Sequence, residues 1–313
     1  MEYLSVVLGQ IAICGIVMAV GFLLARTGVM DEPAQESFAK LLSRLFLPMM
    51  LFSVISTSVG RDELIENLPV IGVCVVVLAL CVMLGAVSGR LFRLEGAKRD
   101  LHTAMMFCDN AGFFGIPLAA AVFKDAPAGI LTASIYLVAD LALVWTYGYY
   151  LMSGGREGGG FSPRRLFSPV TIAVFAGIVC VFLRVPTENA LFYAFEGLGG
   201  CAKYLAMLYI GARFTKLRLS AVVKNAPLCA IAAGKLVLIP VAAFLITRSV
   251  PIFSRTQAFA VALMAGTPVM LSIAPVVRES GRDDRYALEG SLVTNALCLL
   301  TLPLVFRILS LFN

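Results

Sequence analysis

The feature that most constrains this chain is a succession of apolar runs, each about as long as the hydrocarbon core of a bilayer is thick. Spans are read near residues 4–25, 38–57, 68–90, 101–123, 128–152, 166–184, 189–212, 222–247, 255–277 and 287–311. A helix needs about 20 apolar residues to cross that core, and its backbone must satisfy its own hydrogen bonds there. Unbroken runs of this length favour helices over a closed barrel. With 60% hydrophobic and 14% charged residues and a mean hydropathy of +0.92, most of the surface must be solvated by lipid. The expected fold is therefore all-α and integral to the membrane, with ten transmembrane helices.

The net charge of +6 has a membrane explanation and calls for no nucleic acid. Basic loops stay cytoplasmic, and loops after odd-numbered spans hold sixteen Lys and Arg residues against six on the opposite side. Both termini are thus expected outside the cytoplasm of a multi-pass protein of the inner (plasma) membrane. The N-terminus has no basic region or small-residue cleavage site, so the first span is expected in the mature protein. Eight single cysteines among apolar residues have neither disulfide-framework nor zinc spacing and read as small packing residues.

One flexible stretch, Ser153-Gly154-Gly155-Arg156-Glu157-Gly158-Gly159-Gly160, falls almost at the midpoint. It divides the chain into a first five-helix repeat at 1–152, a cytoplasmic linker at 153–165 and a second repeat at 166–313. Five spans is an odd number, so homologous halves must be inverted relative to each other. The stretch from Gly21 to Gly28 is echoed by that from Val179 to Pro186, each followed by an acidic turn that opens the next span.

The fourth and ninth spans, matched by position in the two halves, both carry helix breakers near their centres. One reads Asp109-Asn110-Ala111-Gly112-Phe113-Phe114-Gly115-Ile116-Pro117, the other Gly266-Thr267-Pro268-Val269-Met270-Leu271-Ser272-Ile273-Ala274-Pro275. Proline removes a donor and clashes with the carbonyl four residues earlier, freeing those of Phe113, Met264 and Leu271. Freed backbone survives at membrane depth only when packed in protein or lining a wet cavity. Paired breaks in inverted repeats point to a substrate site in a secondary transporter. Second half-helices beginning near Pro117 and Pro268 would aim their positive ends at an anion. A pair of kinks kept for packing is the alternative. Asn110, Gly112, Gly115, Pro117, Thr267, Pro268 and Ser272 are the candidate substrate-site residues, although the hydroxyls of Thr267 and Ser272 are also apt to bond their own helix backbone. Asn295 in the tenth span reads as a site residue or as glue between helices.

Asp109, Asp140 and Lys235 fall near the centres of the fourth, fifth and eighth spans. A charge there costs roughly 2.5–3.5 kcal/mol on insertion scales, so each needs a partner or a cavity. They are candidates for coupling or charge compensation: Lys235 standing where a coupling cation would sit and pairing with Asp109 or Asp140, or else a permanent structural pair. The coupling ion would be H+, with Na+ also open, and neither a metal nor another cofactor is called for. Glu196 and Lys203 share a face of the seventh span, read as a cavity wall or a packing seam. His102 reads as an interface anchor. Enzyme chemistry is not expected, since the chain has no His-Glu metal motif and no Gly-x-Ser-x-Gly nucleophile turn.

The Asn110 to Pro117 motif in the fourth of ten spans, with the Gly21 to Met30, Lys235 to Pro240 and Thr301-Leu302-Pro303 segments, resembles the auxin efflux carrier family of bacterial and plant transporters. The short central linker is similar to that of prokaryotic-type members. The resemblance implies ten helices as two inverted five-helix repeats on a fold like that of the sodium/bile-acid symporters, with spans 4 and 9 crossing at their breaks. It implies a scaffold of spans 4–57 and 166–212, which commonly forms a homodimer, and a transport domain of spans 68–152 and 222–311. It further implies elevator-type carriage of small organic anions such as auxin-like or mono- and dicarboxylic acids. Asp109 and Asp140 depart from simple anion attraction and would carry protons or select a different substrate. An anion channel, or a membrane receptor without transport, is the other reading of the same architecture.

Overall fold

The computed structural model describes residues 2–58, 61–154, 169–216 and 225–312. Beyond Gly154 the expected linker lies outside the described residues, as do the first residues expected of the sixth and eighth spans. In chain order the helices are α1 (Glu2–Arg26), α2 (Glu32–Thr57), α3 (Arg61–Asn67), α4 (Val70–Leu91), α5 (Gly96–Phe107), α6 (Ala111–Val122), α7 (Pro127–Ser153), α8 (Pro169–Leu183), α9 (Ala190–Arg213), α10 (Ala226–Arg248), α11 (Arg255–Ala265), α12 (Ile273–Glu279) and α13 (Arg285–Leu309). No strand occurs among the described residues, only one isolated bridge.

Helix starts follow from local chemistry. Asp31 accepts the Ala34 N–H with Pro33 in the first turn, so α2 begins well before the apolar run that marks it in the sequence. Asn189 accepts from Leu191 and Phe192, and Ser254 and Gln257 form a capping box on α11. Among the described residues, three of the four π-turns, Leu42–Phe46, Ala111–Gly115 and Gly234–Leu238, precede Pro48, Pro117 and Pro240. Each proline displaces the carbonyl four residues back, that of Arg44, Phe113 or Leu236, at the middle of its turn. Widening the turn accommodates the ring without breaking the helix.

Among the described residues, six helices are long and apolar enough to cross a membrane: α1 from Val7, α2, α4, α7, α10 and α13. This is fewer than the ten spans read from the sequence, and the reasons are local. The spans expected at 101–123 and 255–277 are each divided into two helices, α5 with α6 and α11 with α12. α8 is described over 15 residues, and α9, 24 residues long, carries Glu196 and Lys203 in its apolar surface. Leu8, Ile16 and Leu23 form one exposed apolar stripe on α1, as a lipid-facing helix requires.

α1 packs on α9, and both α8 and α9 pack on α2. α4 packs on α5 and α7, α10 on α11, and α11 on α7. Phe259 of α11 joins Phe244 of α10 and Phe306 of α13, with ring centroids 5.0 and 5.4 Å apart. Such tilted pairs add to burial through complementary edges and faces. The α1/α9 seam is closer still, because Gly21 faces the Leu208 carbonyl and Gly211 faces that of Met18 with no room for a Cβ at either. Lys203 of α9 donates to Gln10 of α1 in the same pair of helices, while Glu196 is exposed.

Gly211→Ala must push α1 and α9 apart, an overpacking cost of about 1–3 kcal/mol. The thermal midpoint of the purified protein in detergent should fall by several degrees. Gly197→Ala, on the same helix with nothing near its Cβ position, should leave it unchanged or raise it.

Candidate functional site

Both breaks leave the helix in a short extended segment, and the two segments bond to each other. α5 stops at Phe107 and α6 starts at Ala111, while α11 stops at Ala265 and α12 starts at Ile273. The Asn110 N–H donates to the Pro268 carbonyl at 2.7 Å, and the Met270 N–H donates to the Cys108 carbonyl at 3.0 Å. Asp109 and Val269 thereby form an antiparallel bridge.

α13 covers the bridge with a polar face of Ser291, Thr294 and Asn295, spaced to point one way. Asn295 Nδ2 donates to the Val269 carbonyl at 2.8 Å, and its Oδ1 accepts from Asn110 Nδ2 at 2.9 Å. Thr294 Oγ1 accepts the Val269 N–H at 3.0 Å. The Met264 carbonyl freed by Pro268 accepts from both the N–H and the hydroxyl of Thr267. The Asn110 carbonyl takes the N–H groups of Phe114 and Gly115. Buried backbone groups at the breaks thus find partners within the protein, the condition for unwinding a helix inside a membrane.

The charged group lies directly against the bridge. Asp109 and Lys235 form an ion pair with both side chains fully buried. Lys235 also donates to the Met106 carbonyl at 3.0 Å, and Tyr136 donates to the second Asp109 oxygen, Oδ2, at 2.9 Å. Both carboxylate oxygens of Asp109 are therefore engaged. Asp140, one turn beyond Tyr136 on α7, is buried within electrostatic reach of Asp109 and Lys235 and takes a hydrogen bond from the Asp109 backbone. Its Oδ1 is buried with no partner.

The structure brings Asp109, Asn110, Thr267, Pro268, Asp140 and Lys235 together. Asn110 and Thr267 spend their side chains on Asn295 and on the α11 backbone. Gly115 packs on α11, where a Cβ would meet Thr267 and Met264. Pro117 is buried inside α6. Gly112 alone keeps open room: a Cβ there would touch nothing but Leu47, at 3.8 Å. Ser272 is exposed at the start of α12 and its side chain caps nothing. The half-helix starts expected near Pro117 and Pro268 are corrected to Ala111 and Ile273, because a π-turn carries helix back to Ala111 and the bridge holds residues 268–270 extended. His102 is no interface anchor. It is fully buried, bonded at 2.7 Å to Ser88 and at 2.9 Å to Tyr286. Sequence reasoning missed Tyr136 and Thr294. Tyr136 stands four residues before Asp140, the spacing that puts two side chains on one helix face.

A cavity of about 650 Å3 opens among the ends of α5, α7, α10, α12 and α13, lined in part by Lys98, Arg282, Arg285 and Glu289. None of the break residues lines it. Residues 6–163, half of the chain, match a family model described as membrane transport protein. An uncharacterized transporter of Methanothermobacter thermautotrophicus is 27% identical over 213 residues, 63% of this chain and 64% of the relative. One of Schizosaccharomyces pombe is 28% identical over 153 residues, 42% of this chain and 33% of the relative. The chain thus matches less than two thirds of the length of either relative.

Removing one partner of the buried pair strands the other charge. Lys235→Met should cost about 3–5 kcal/mol in unfolding measurements, and adding Asp109→Leu should recover most of that loss. If the double variant is no more stable than Lys235→Met, the pair is not what Lys235 satisfies.

Proposed function

The chain belongs to the membrane transport protein family, the auxin efflux carriers of the sequence resemblance, and from that premise we propose that it is a secondary carrier of small organic anions, coupled to protons, working by elevator-type alternating access. The observation that carries this reading is the bridge between two unwound helices with an ion pair and a further buried carboxylate beside it. Unwound helices paired at membrane depth are how carriers of inverted-repeat construction build their sites.

Taken as single broken spans, α5–α6 and α11–α12 join α1, α2, α4, α7, α8, α9, α10 and α13 to give ten spans, as two inverted repeats at 1–152 and 166–313. The mutual packing of α1, α2, α8 and α9 supports a scaffold against which the remaining helices move. A homodimer through that scaffold, an inner-membrane location and non-cytoplasmic termini complete the reading, the last resting on the distribution of Lys and Arg.

Charge accounting assigns the proton. With all three groups ionised the buried cluster carries a net negative charge, which a dry site tolerates poorly. Asp109 is compensated at both oxygens, whereas Asp140 has one oxygen without a donor. Asp140 is therefore the group that binds the coupling proton, and the Lys235 ammonium, paired with Asp109, stands where a coupling cation would sit. The channel and receptor readings share this architecture but lack turnover.

The deciding measurement is counterflow into proteoliposomes with labelled malonate, malate and indole acetate, at two pH values with and without sodium. Uptake against trapped unlabelled acid is expected, independent of sodium. Asp140→Asn should retain counterflow but lose the pH dependence of net uptake. Acid uptake without counterflow would replace the carrier by a channel, and an unchanged pH profile in Asp140→Asn would remove the coupling role.

A further inference from the structure

Among the described residues, the breaks hold no cation free to meet an anion. Lys235 is committed to Asp109, and Asn110 is committed to Asn295. The open room lies beside Gly112 in the first turn of α6, on the side facing α2 and α9. A carboxylate seated there needs its positive partner from one of those two helices.

Arg213, the last residue of α9, has the required chemistry. Its Nε is buried without a hydrogen-bond partner, and among the described residues no carboxylate lies within ion-pair distance of it. A cation kept merely to complement the end of a helix would leave its donors in water. Lys216, just beyond it, pairs with exposed Glu32, which also lies within electrostatic reach of Arg213 without bonding to it. One turn back from Arg213 on the same face, buried Tyr209 meets Phe113 edge-on, with centroids 5.7 Å apart at 86°. Arg213 and the exposed Glu36 both lie within electrostatic reach of the Tyr209 hydroxyl. Gly112, Phe113, Tyr209 and Arg213 thus form a continuous line from the first turn of α6 to the basic end of α9.

We propose that Arg213 is the docking residue for the carboxylate of the transported acid, receiving it at the seam between α9 and α6, with Tyr209 and Phe113 forming the wall along which the acid passes to the room beside Gly112. The buried Nε–H of Arg213 has no partner within the protein, and an arriving carboxylate satisfies it with a charge-assisted hydrogen bond. The Arg213 side chain thereby selects for an anion, a task the committed Lys235 cannot perform. This inference rests on the organic-acid reading of the preceding section.

The test is malonate counterflow in proteoliposomes as a function of external malonate, with protein of verified thermal stability. Arg213→Gln should raise the KM about tenfold or more while leaving the maximal rate within a few-fold, the size of one lost charge-assisted bond. Arg213→Lys should restore most of the affinity, and Lys40→Gln, which removes an equal but exposed charge from the neighbouring α2, should change little. A wild-type KM in Arg213→Gln, or an equal rise in Lys40→Gln, overturns the docking role and leaves the carrier reading intact. Absence of counterflow by the wild type with every acid overturns the carrier reading itself. If Arg213→Gln does not fold, Arg213→Met decides: a raised KM with the maximal rate retained supports docking, and a wild-type KM sinks it.

Discussion

Hydrocarbon offers no hydrogen bonds, so every backbone group released at a break must be taken up by the protein itself. The two breaks in this chain meet that demand jointly. Each extended segment supplies a donor and an acceptor to the other, and Thr294 and Asn295 of α13 take the N–H and carbonyl of Val269 between them. Neither segment is satisfied alone. Unwinding one helix thus requires unwinding the other at the same place, and the position of α13 follows from both.

The charged cluster depends on this arrangement. Asp109 lies within the bridged segment, so the bond between the segments fixes the height at which its carboxylate meets Lys235. Lys235 itself sits in the wide turn made before Pro240, where the backbone has left regular α geometry. Packing and charge pairing thus converge on one place from three helices, α5, α7 and α10. A buried pair of this kind does little for net stability but heavily penalises any arrangement that separates its members.

Much of this was legible in the residues. Long apolar runs gave the membrane and the helices, and the doublet of Gly/Pro-rich interruptions gave both breaks. Asp109, Asp140 and Lys235 stood out because isolated charges in apolar runs have few explanations. What the sequence concealed was pairing. Nothing in Asn110 or Thr267 tells whether its side chain will face a ligand or a carbonyl, since that depends on which backbone groups are released nearby. Tyr136 is a residue that apolar runs accept freely, and its hydroxyl gains meaning only once Asp109 is known to stand opposite. His102 looked interfacial from its position at a span entrance, yet α4 and α13 close over it with Ser88 and Tyr286. Helices long enough to cross are fewer than the spans read, in part because two runs are cut by breaks into pairs of short helices.

The wide turn at Gly234–Leu238 has a consequence for the phase of α10. A π-turn holds one residue more than the α-helical path needs, and one residue is about 100° of rotation. Leu228 and Ile231 before the turn and Ile239, Ala243 and Phe244 after it are all buried, although an uninterrupted helix would swing one group away from the core. The extra residue resets the angular frame so that one helix presents two correctly aimed faces. In this chain a single-residue indel inside α10 would act as a rotation of half the helix, and the length of that segment is as much a structural specification as its composition.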